Sequence, residues 1–378
     1  MRVDFAPFLA WSEAKGITSP LELVSNGSYR YMALPSSKET LLSQSKSPDL
    51  VNIVQAPLDA CIVGPDWETM VEKLKYEKSL GDESGYAPWL SLFPTLEDFQ
   101  GMPRFWDHDR RELVRKFDGG QLEARMEIDR LRFNQVDDQW ALACVDSRSN
   151  FLPDNTYSMT PLLDMFNHDS RVKTSARVDG ASRFLLEVDS DSALQGFEEE
   201  AKEQGWQDQL MGLFGAGSND GGYQPGREVY VSYGNFDNME TMCNYGFVAE
   251  DNACNMESFR VRMLGKAPVG LVVDSTGSLD NIFNAMSLTD LRVNLATPDE
   301  MQSLPEDYDG LSKMSDRNEI EVFALVAGEL EEALYDAKAG AMEAETMNDP
   351  LVANYLRGRQ ATLEKGRDWL KKTFPEVF

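Results

Sequence analysis

Pro161-Leu162-Leu163-Asp164-Met165-Phe166-Asn167-His168 and, farther along, Gly226-Arg227-Glu228-Val229-Tyr230-Val231-Ser232-Tyr233-Gly234-Asn235-Phe236-Asp237-Asn238 are the two stretches that decide how this chain folds. Each is an apolar run that ends in polar residues, the pattern of a buried strand that delivers side chains to its end. The spans 157–168 and 227–233 are therefore expected to be strands. A shorter string, Asn244-Tyr245-Gly246-Phe247, follows the second.

Outward from these strings the pattern changes twice. Toward the N-terminus, residues 5–15 predict a helix, and 29–34 and 50–63 predict short strands, with Leu50-Val51-Asn52-Ile53-Val54 the clearest β-rich run. From about 66 to 145 the chain is charged and helical. Val71, Leu74 and Lys75 open one amphipathic stretch; Phe117 to Arg132 is another, ending near Asn134. Tyr86-Ala87-Pro88-Trp89-Leu90-Ser91-Leu92-Phe93-Pro94 breaks between them. From about 276 onward the chain is helical again. Phe323, Val326, Leu330 and Leu334 mark one buried face, and Val352, Leu356, Leu363 and Leu370 another. Between the two decisive strings, residues 190–222 form an insertion. Phe197, Ala201, Leu210 and Phe214 share a helical face, and Gly215 to Gly222 makes a flexible connector. It reads as a surface decoration or a partner-binding element.

The chain has 378 residues, 42% hydrophobic and 26% charged, enough for two or three packed units. No run of about eighteen apolar residues predicts a membrane span. The N-terminal residues lack the basic-then-apolar order of a signal peptide. With 36 basic against 64 acidic residues, the net charge of −28 argues against a nucleic-acid partner, which needs basic patches. It suits a protein partner with a basic surface, though solubility explains it equally well. Cys61, Cys144, Cys243 and Cys254 contain no Cys-x-x-Cys pair, and His108 and His168 are the two histidines, so no zinc site is expected. Sparse, unpaired cysteine points to a reducing compartment.

Together and in this order, the two strings and Asn244–Phe247 resemble the paired signature of SET-domain protein methyltransferases. The branch they resemble includes the Rubisco large-subunit lysine methyltransferase and the actin-histidine methyltransferase. The segment Tyr86–Pro94 is similar to that branch's "Tyr-x-Pro-Tyr-Leu…Leu-Pro" stretch, and the absence of a cysteine-rich zinc segment fits the branch. The resemblance implies an α+β chain. Residues 1–65 and 146–260 would form a discontinuous SET domain, 66–145 a helical insert, 190–222 an added helix and loop, and 261–378 an all-α domain of the substrate-binding type. It also implies S-adenosyl-L-methionine as cofactor, a protein substrate, and a plastid, cytosolic or nuclear setting.

Methyl transfer from a sulfonium to an amine is an in-line displacement, so the enzyme must align donor and acceptor at near-contact distance. The acceptor lysine must also be neutral, which an apolar channel favours by desolvating the ammonium. A tyrosine hydroxyl can orient the amine, and its ring can face the cationic methyl. The resemblance gives these catalytic roles to Tyr233 and Tyr245. It makes Asn167 and His168 the cofactor dipeptide, with His168 as a contact and not a general base. Arg148, in Asp146-Ser147-Arg148-Ser149-Asn150-Phe151, resembles an arginine that touches cofactor and substrate; an exposed salt-bridging arginine is the alternative. Asp164 matches a residue near the substrate channel or caps a turn, and Phe247 falls on the substrate side. Asn238 is expected to cap the helix leading to Tyr245.

One part of the pattern departs. The Gly-x-Gly turn expected before the first strands is here Ser25-Asn26-Gly27-Ser28-Tyr29-Arg30, with Gly27 as its remaining glycine and cofactor contact. Two readings follow. One is a protein-lysine N-methyltransferase, favoured over a histidine enzyme because Tyr245 is present. The other is a SET-fold binding or assembly protein that no longer catalyses.

Overall fold

A computed structural model describes residues 4–26, 29–37, 50–134, 138–152, 154–189, 224–249, 251–274, 276, 282–306 and 308–378. The 190–222 insertion and Gly27 lie outside the described residues. The chain is α+β and divides into two compact units: Met1–Leu96 with Asp137–Gly234, and Glu97–Val136 with Asn235–Phe378.

The first unit is built from short sheets. Strands β1 (Glu22–Asn26) and β2 (Tyr29–Ala33) form an antiparallel hairpin. The outer edge of β2 takes on the second decisive string, since Val229 N–H donates to the Met32 carbonyl and Ala33 bridges Glu228. Strand β3 (Leu50–Pro57) belongs to a three-stranded sheet. It carries a bulge between Asn52 and Val54. A bulge places two consecutive residues on one face, and Ile53 and Val54 are accordingly both fully buried. Strand β4 (Ile62–Gly64), β5 (Ser149–Phe151) and β6 (Tyr157–Met159) make a second sheet in the order β4-β6-β5.

The expected strand over 157–168 is interrupted. After β6 the chain turns through a short 3₁₀ segment, Leu163–Met165, before β7 (Asn167–His168). The cause is Leu162, which takes φ 68°, a left-handed conformation that costs a branched residue roughly 1–3 kcal/mol. Its buried side chain holds it there. Strands β8 (Thr174–Val178) and β9 (Arg183–Asp189) complete the order β3-β9-β8. Strand β10 (Tyr230–Val231) then pairs in parallel with β7, Tyr230 opposite Asn167 and Val231 opposite His168.

Among the described residues this unit also holds the helices Ala6–Ala14, as residues 5–15 predict, Trp67–Leu80, Ala87–Leu90 and Gln139–Arg148. Trp67–Leu80 starts at Asp66, whose carboxylate accepts the Thr69 N–H at 2.7 Å. Gln139–Arg148 starts at Asp138 in the same way and buries Ala141 to Val145 without a break, as a helix enclosed on all sides must. Pro88 falls in the first turn of a short helix, Ala87–Leu90, where a missing N–H is tolerated; the proline starts a helix and does not simply break one.

The second unit is mostly helical. His108–Phe117 and Gln121–Phe133 are separate helices, whereas the sequence suggested one stretch from Phe117. Gly119 and Gly120, both at positive φ, make the turn, and the Asp118 carboxylate accepts the Gly120 and Leu122 N–H groups. The long helices Asp316–Thr346 and Pro350–Thr373 pack together, with Phe323, Val326, Leu330, Leu334, Leu363 and Leu370 in one core. The hairpin of β11 (Met256–Val261) and β12 (Val269–Asp274) lies against them, so 261–378 is not all-α as expected: the valine-rich run Val269 to Val273 pairs with β11. Rings at Phe283, Phe323, Trp369 and Phe374 pack together in that core, and Phe323 and Phe374 stack with centroids 4.1 Å apart.

Candidate functional site

In the first unit, the two decisive strings are joined by more than the β7–β10 pair. The Tyr233 N–H donates to His168 Nδ1 at 3.0 Å. That contact assigns the tautomer: Nδ1 is an acceptor, so the ring is neutral with its hydrogen on Nε2. Burial pushes the imidazole pKa down in the same sense. The Tyr233 hydroxyl donates to the Phe166 carbonyl at 2.6 Å, and burial raises its pKa. A phenol that donates to a backbone carbonyl is held in one orientation.

Asp164 sits just before that carbonyl, with its side chain almost completely enclosed. One carboxylate oxygen accepts the Trp89 indole N–H at 3.0 Å and lies 3.7 Å from Arg148 Nε. Burial lifts the carboxyl to about 6, against the opposing pull of Arg148 and Trp89. Arg148 is delivered by the last position of its helix. It lies 5.5 Å over the Phe93 ring and donates to Ser147 Oγ, and its charge favours ionisation of the Tyr233 hydroxyl while that of Asp164 opposes it. Arg148, Asp164 and Tyr233 thus form one electrostatic group.

Asn167 faces a different cluster. Its side-chain amide donates to the Arg30 carbonyl at 3.1 Å and to Glu228 Oε1 at 2.6 Å. Glu228 also accepts the hydroxyls of Tyr29, at 2.8 Å, and Tyr230, at 3.0 Å. The Tyr29 and Tyr31 rings lie on one face of β2 with centroids 5.7 Å apart. Tyr29, through Glu228, and Arg30, through its carbonyl, are thereby tied to Asn167.

In the second unit, Tyr245 ends the helix Asn238–Tyr245, and its ring packs against Phe236 and Phe247 at 5.9 and 6.0 Å. The helix is capped by Asp237, not by Asn238. Asp237 and Glu240 exchange side-chain and backbone bonds in a capping box, and Asn238 is buried one residue inside. Gly246, at φ 79°, closes the other end.

Glu228 and Trp89 carry much of this geometry without having been singled out in the sequence. Glu228 lies inside the second string, and an acid between Arg227 and Val229 on a strand with one buried face was the available signal. Trp89 lies in the Tyr86–Pro94 segment, but its bond to Asp164, 75 positions away, has no local signal. Among the described residues no group of three metal-ligating side chains occurs, and no helix is long and apolar enough to cross a membrane.

No family model matches the chain, and no curated protein matches it by sequence. Solved structures do match. The SET domain of LSMT bound to lysine and AdoHcy aligns over 98% of this chain and 91% of its own, with TM-score 0.63 and 16% identity. The same domain bound to methyllysine and AdoHcy aligns over 100% and 94%, with TM-score 0.64 and 15% identity. The fold is that of the SET domain. The expectation drawn from the strings around Asn167 and Tyr233 is met at the level of fold, and the SET fold brings the two strings side by side as β7 and β10.

Proposed function

We propose that this protein is an S-adenosylmethionine-dependent protein-lysine N-methyltransferase. The observation that carries the reading is the Tyr233 hydroxyl, fixed on the Phe166 carbonyl beside Asp164 and Arg148 in a fold shared with a lysine- and AdoHcy-bound SET domain. In this reading Tyr233 accepts a hydrogen from the substrate amine and so aims its lone pair, while burial of the surrounding side chains disfavours the ammonium form. Tyr245, backed by Phe236 and Phe247, supplies a second hydroxyl and an aromatic wall. Asp164 in the first unit and Phe247 in the second are each given a substrate-side role by this reading. The domain partition belongs to the same reading, with 1–65 and 146–260 as the SET domain around the 66–145 insert and 261–378 receiving the protein substrate.

The residues around Asn167 fit a flat, cationic cofactor. Glu228 provides a carboxylate, and Tyr29 and Tyr31 provide neighbouring rings, a combination that attracts positive charge. Asn167, His168, Arg148 and Gly27 would hold it. When bound, S-adenosylmethionine supplies the methyl group on its sulfonium.

A second reading, a SET-fold binding or assembly protein without catalysis, is favoured by one observation. Both hydrogens of the Asn167 amide are already taken by Arg30 and Glu228. Isothermal titration separates the two readings. Binding of S-adenosylmethionine and AdoHcy, followed by methyl transfer to lysine, is expected of the enzyme. No heat at millimolar ligand sinks the enzyme reading and leaves the binding protein.

A further inference from the structure

The helix that carries Tyr245 is held at both ends by the same element, the last long helix, Pro350–Thr373. At its start, the Asn238 N–H donates to Asn255 Oδ1 at 2.9 Å, and Asn255 Nδ2 donates to Thr362 Oγ1 at 2.8 Å and the Gly358 carbonyl at 3.3 Å. Asn252 Nδ2 donates to Asn238 Oδ1 at 3.1 Å, so the Asn238 side chain cannot swing aside. Gly358 is pressed against that amide. A Cβ there would lie 2.3 Å from Asn238 Nδ2, closer than atoms can approach.

At the other end, Gly246 follows Tyr245 directly and meets Gly101 backbone to backbone. A Cβ on Gly101 would lie 2.2 Å from the Gly246 carbonyl oxygen. The Gly101 segment is itself braced. The Gln100 carbonyl accepts from Trp106 Nε1 at 3.0 Å and Arg110 Nη1 at 3.1 Å, and Arg110 forks onto both oxygens of Asp349, at 2.6 and 2.8 Å. Asp349 is the N-cap of Pro350–Thr373. Two chains of contacts therefore run from one helix to the two ends of an eight-residue helix bearing the tyrosine.

We propose that Gly101 and Gly358 are positioning residues for Tyr245, and that the last helix sets where its ring stands. The proposal rests on the lysine-methyltransferase reading for what Tyr245 does, but not for where it is held. Small residues at both contacts allow a close approach, and the braces behind them keep the backbone from yielding when a methyl group is added.

The test places 3-fluorotyrosine at position 245 of the full chain and records its fluorine resonance in Gly101→Ala, Gly358→Ala and Gly328→Ala backgrounds. The first two are expected to shift or split the resonance. Gly328→Ala, where an added Cβ meets nothing within 4 Å, is expected to leave it unchanged. A folded Gly101→Ala and a folded Gly358→Ala that both keep the parent resonance would overturn the proposal, even if melting temperatures fall. Should either alanine variant fail to fold, Arg110→Lys removes the fork to Asp349 while keeping the charge. It is expected to broaden the resonance, and an unchanged line counts against the proposal. Titration of free L-lysine in the presence of AdoHcy adds a second readout. Gly101→Ala should bind lysine about tenfold more weakly with AdoHcy affinity unchanged. Absence of lysine binding in the parent protein refutes the functional reading alone, since the fluorine resonance still decides the positioning.

Discussion

Asp164 gives one carboxylate oxygen to the Trp89 indole N–H at 3.0 Å, while its other oxygen is buried with no hydrogen-bond partner among the described residues. A carboxylate enclosed in this way is a burden on the fold, and the preceding turn at Leu162 adds backbone strain. Both point to a position kept for what it does, since buried acids with an unsatisfied oxygen and residues at positive φ gather at working sites.

The burden depends on pH. Burial raises the folded-state pKa of Asp164 to about 6, above the ordinary carboxyl value of about 3.9. The protonated acid is the form the interior accepts. Its contribution to stability is complete below the unfolded pKa and is lost as pH rises through 6. Asp164→Asn keeps an acceptor for Trp89 and should be more stable than the parent by about 2–3 kcal/mol at pH 7.5, with the gain closing toward pH 4. Urea unfolding across that range measures it. A gain independent of pH would show that Asp164 is not the titrating group.

Tyr233→Phe removes the hydroxyl aimed from the Phe166 carbonyl. Methyl transfer to L-lysine should fall roughly a hundredfold, the scale on which one positioned donor or acceptor acts in a closed site. Tyr245→Phe should change the rate or the number of methyl groups added, read by mass spectrometry. Kinetics identical to the parent would remove that tyrosine from the site.

Glu228 holds Asn167, Tyr29 and Tyr230 through one carboxylate. Glu228→Gln turns an amide toward some of those donors, so AdoHcy affinity should weaken about tenfold, equivalent to about 1.4 kcal/mol. Calorimetric titration gives the value. Unchanged affinity would separate this cluster from cofactor binding.

The buried pair of Glu257 and Arg359, 2.9 Å apart, bears on the second unit. Burial lifts the Glu257 carboxyl to about 7 against the pull of Arg359. Glu257→Leu leaves an uncompensated guanidinium and should cost about 3–5 kcal/mol by urea unfolding. Pairing it with Arg359→Met should recover most of the loss. A double variant no better than the single would mean that packing, not charge, is lost.

The sequence displayed the features whose causes are local. The faces Phe323-Val326-Leu330-Leu334 and Val352-Leu356-Leu363-Leu370 repeat at helical spacing and are buried as that spacing requires. Val51 and Ile53 announced β3 for the same kind of reason. What was hidden depends on partners far away in the chain. Asn238 looks like a cap because it is an asparagine at a helix start, yet Asp237 wins that role through its exchange with Glu240 and frees Asn238 for Asn252 and Asn255. The Leu162 turn breaks the apolar run of 157–168 without a glycine to signal it. Phe117 and Gln121 seemed to share one helix because the turn-forming glycines between them are flanked by good helix formers.

The Tyr29–Glu228 hydrogen bond joins residues 199 positions apart. A chain growing from its N-terminus makes β1, β2 and β3 long before Glu228 exists to accept from Tyr29 and Asn167. Closures of this span come late in folding, after local helices have formed, because their loop entropy is lost before any contact rewards it. The cofactor-side cluster is therefore expected to be among the last parts of the first unit to assemble during synthesis. For most of that time the polar ends of β2 and β7 stand open to solvent, and to any chaperone that meets the nascent chain.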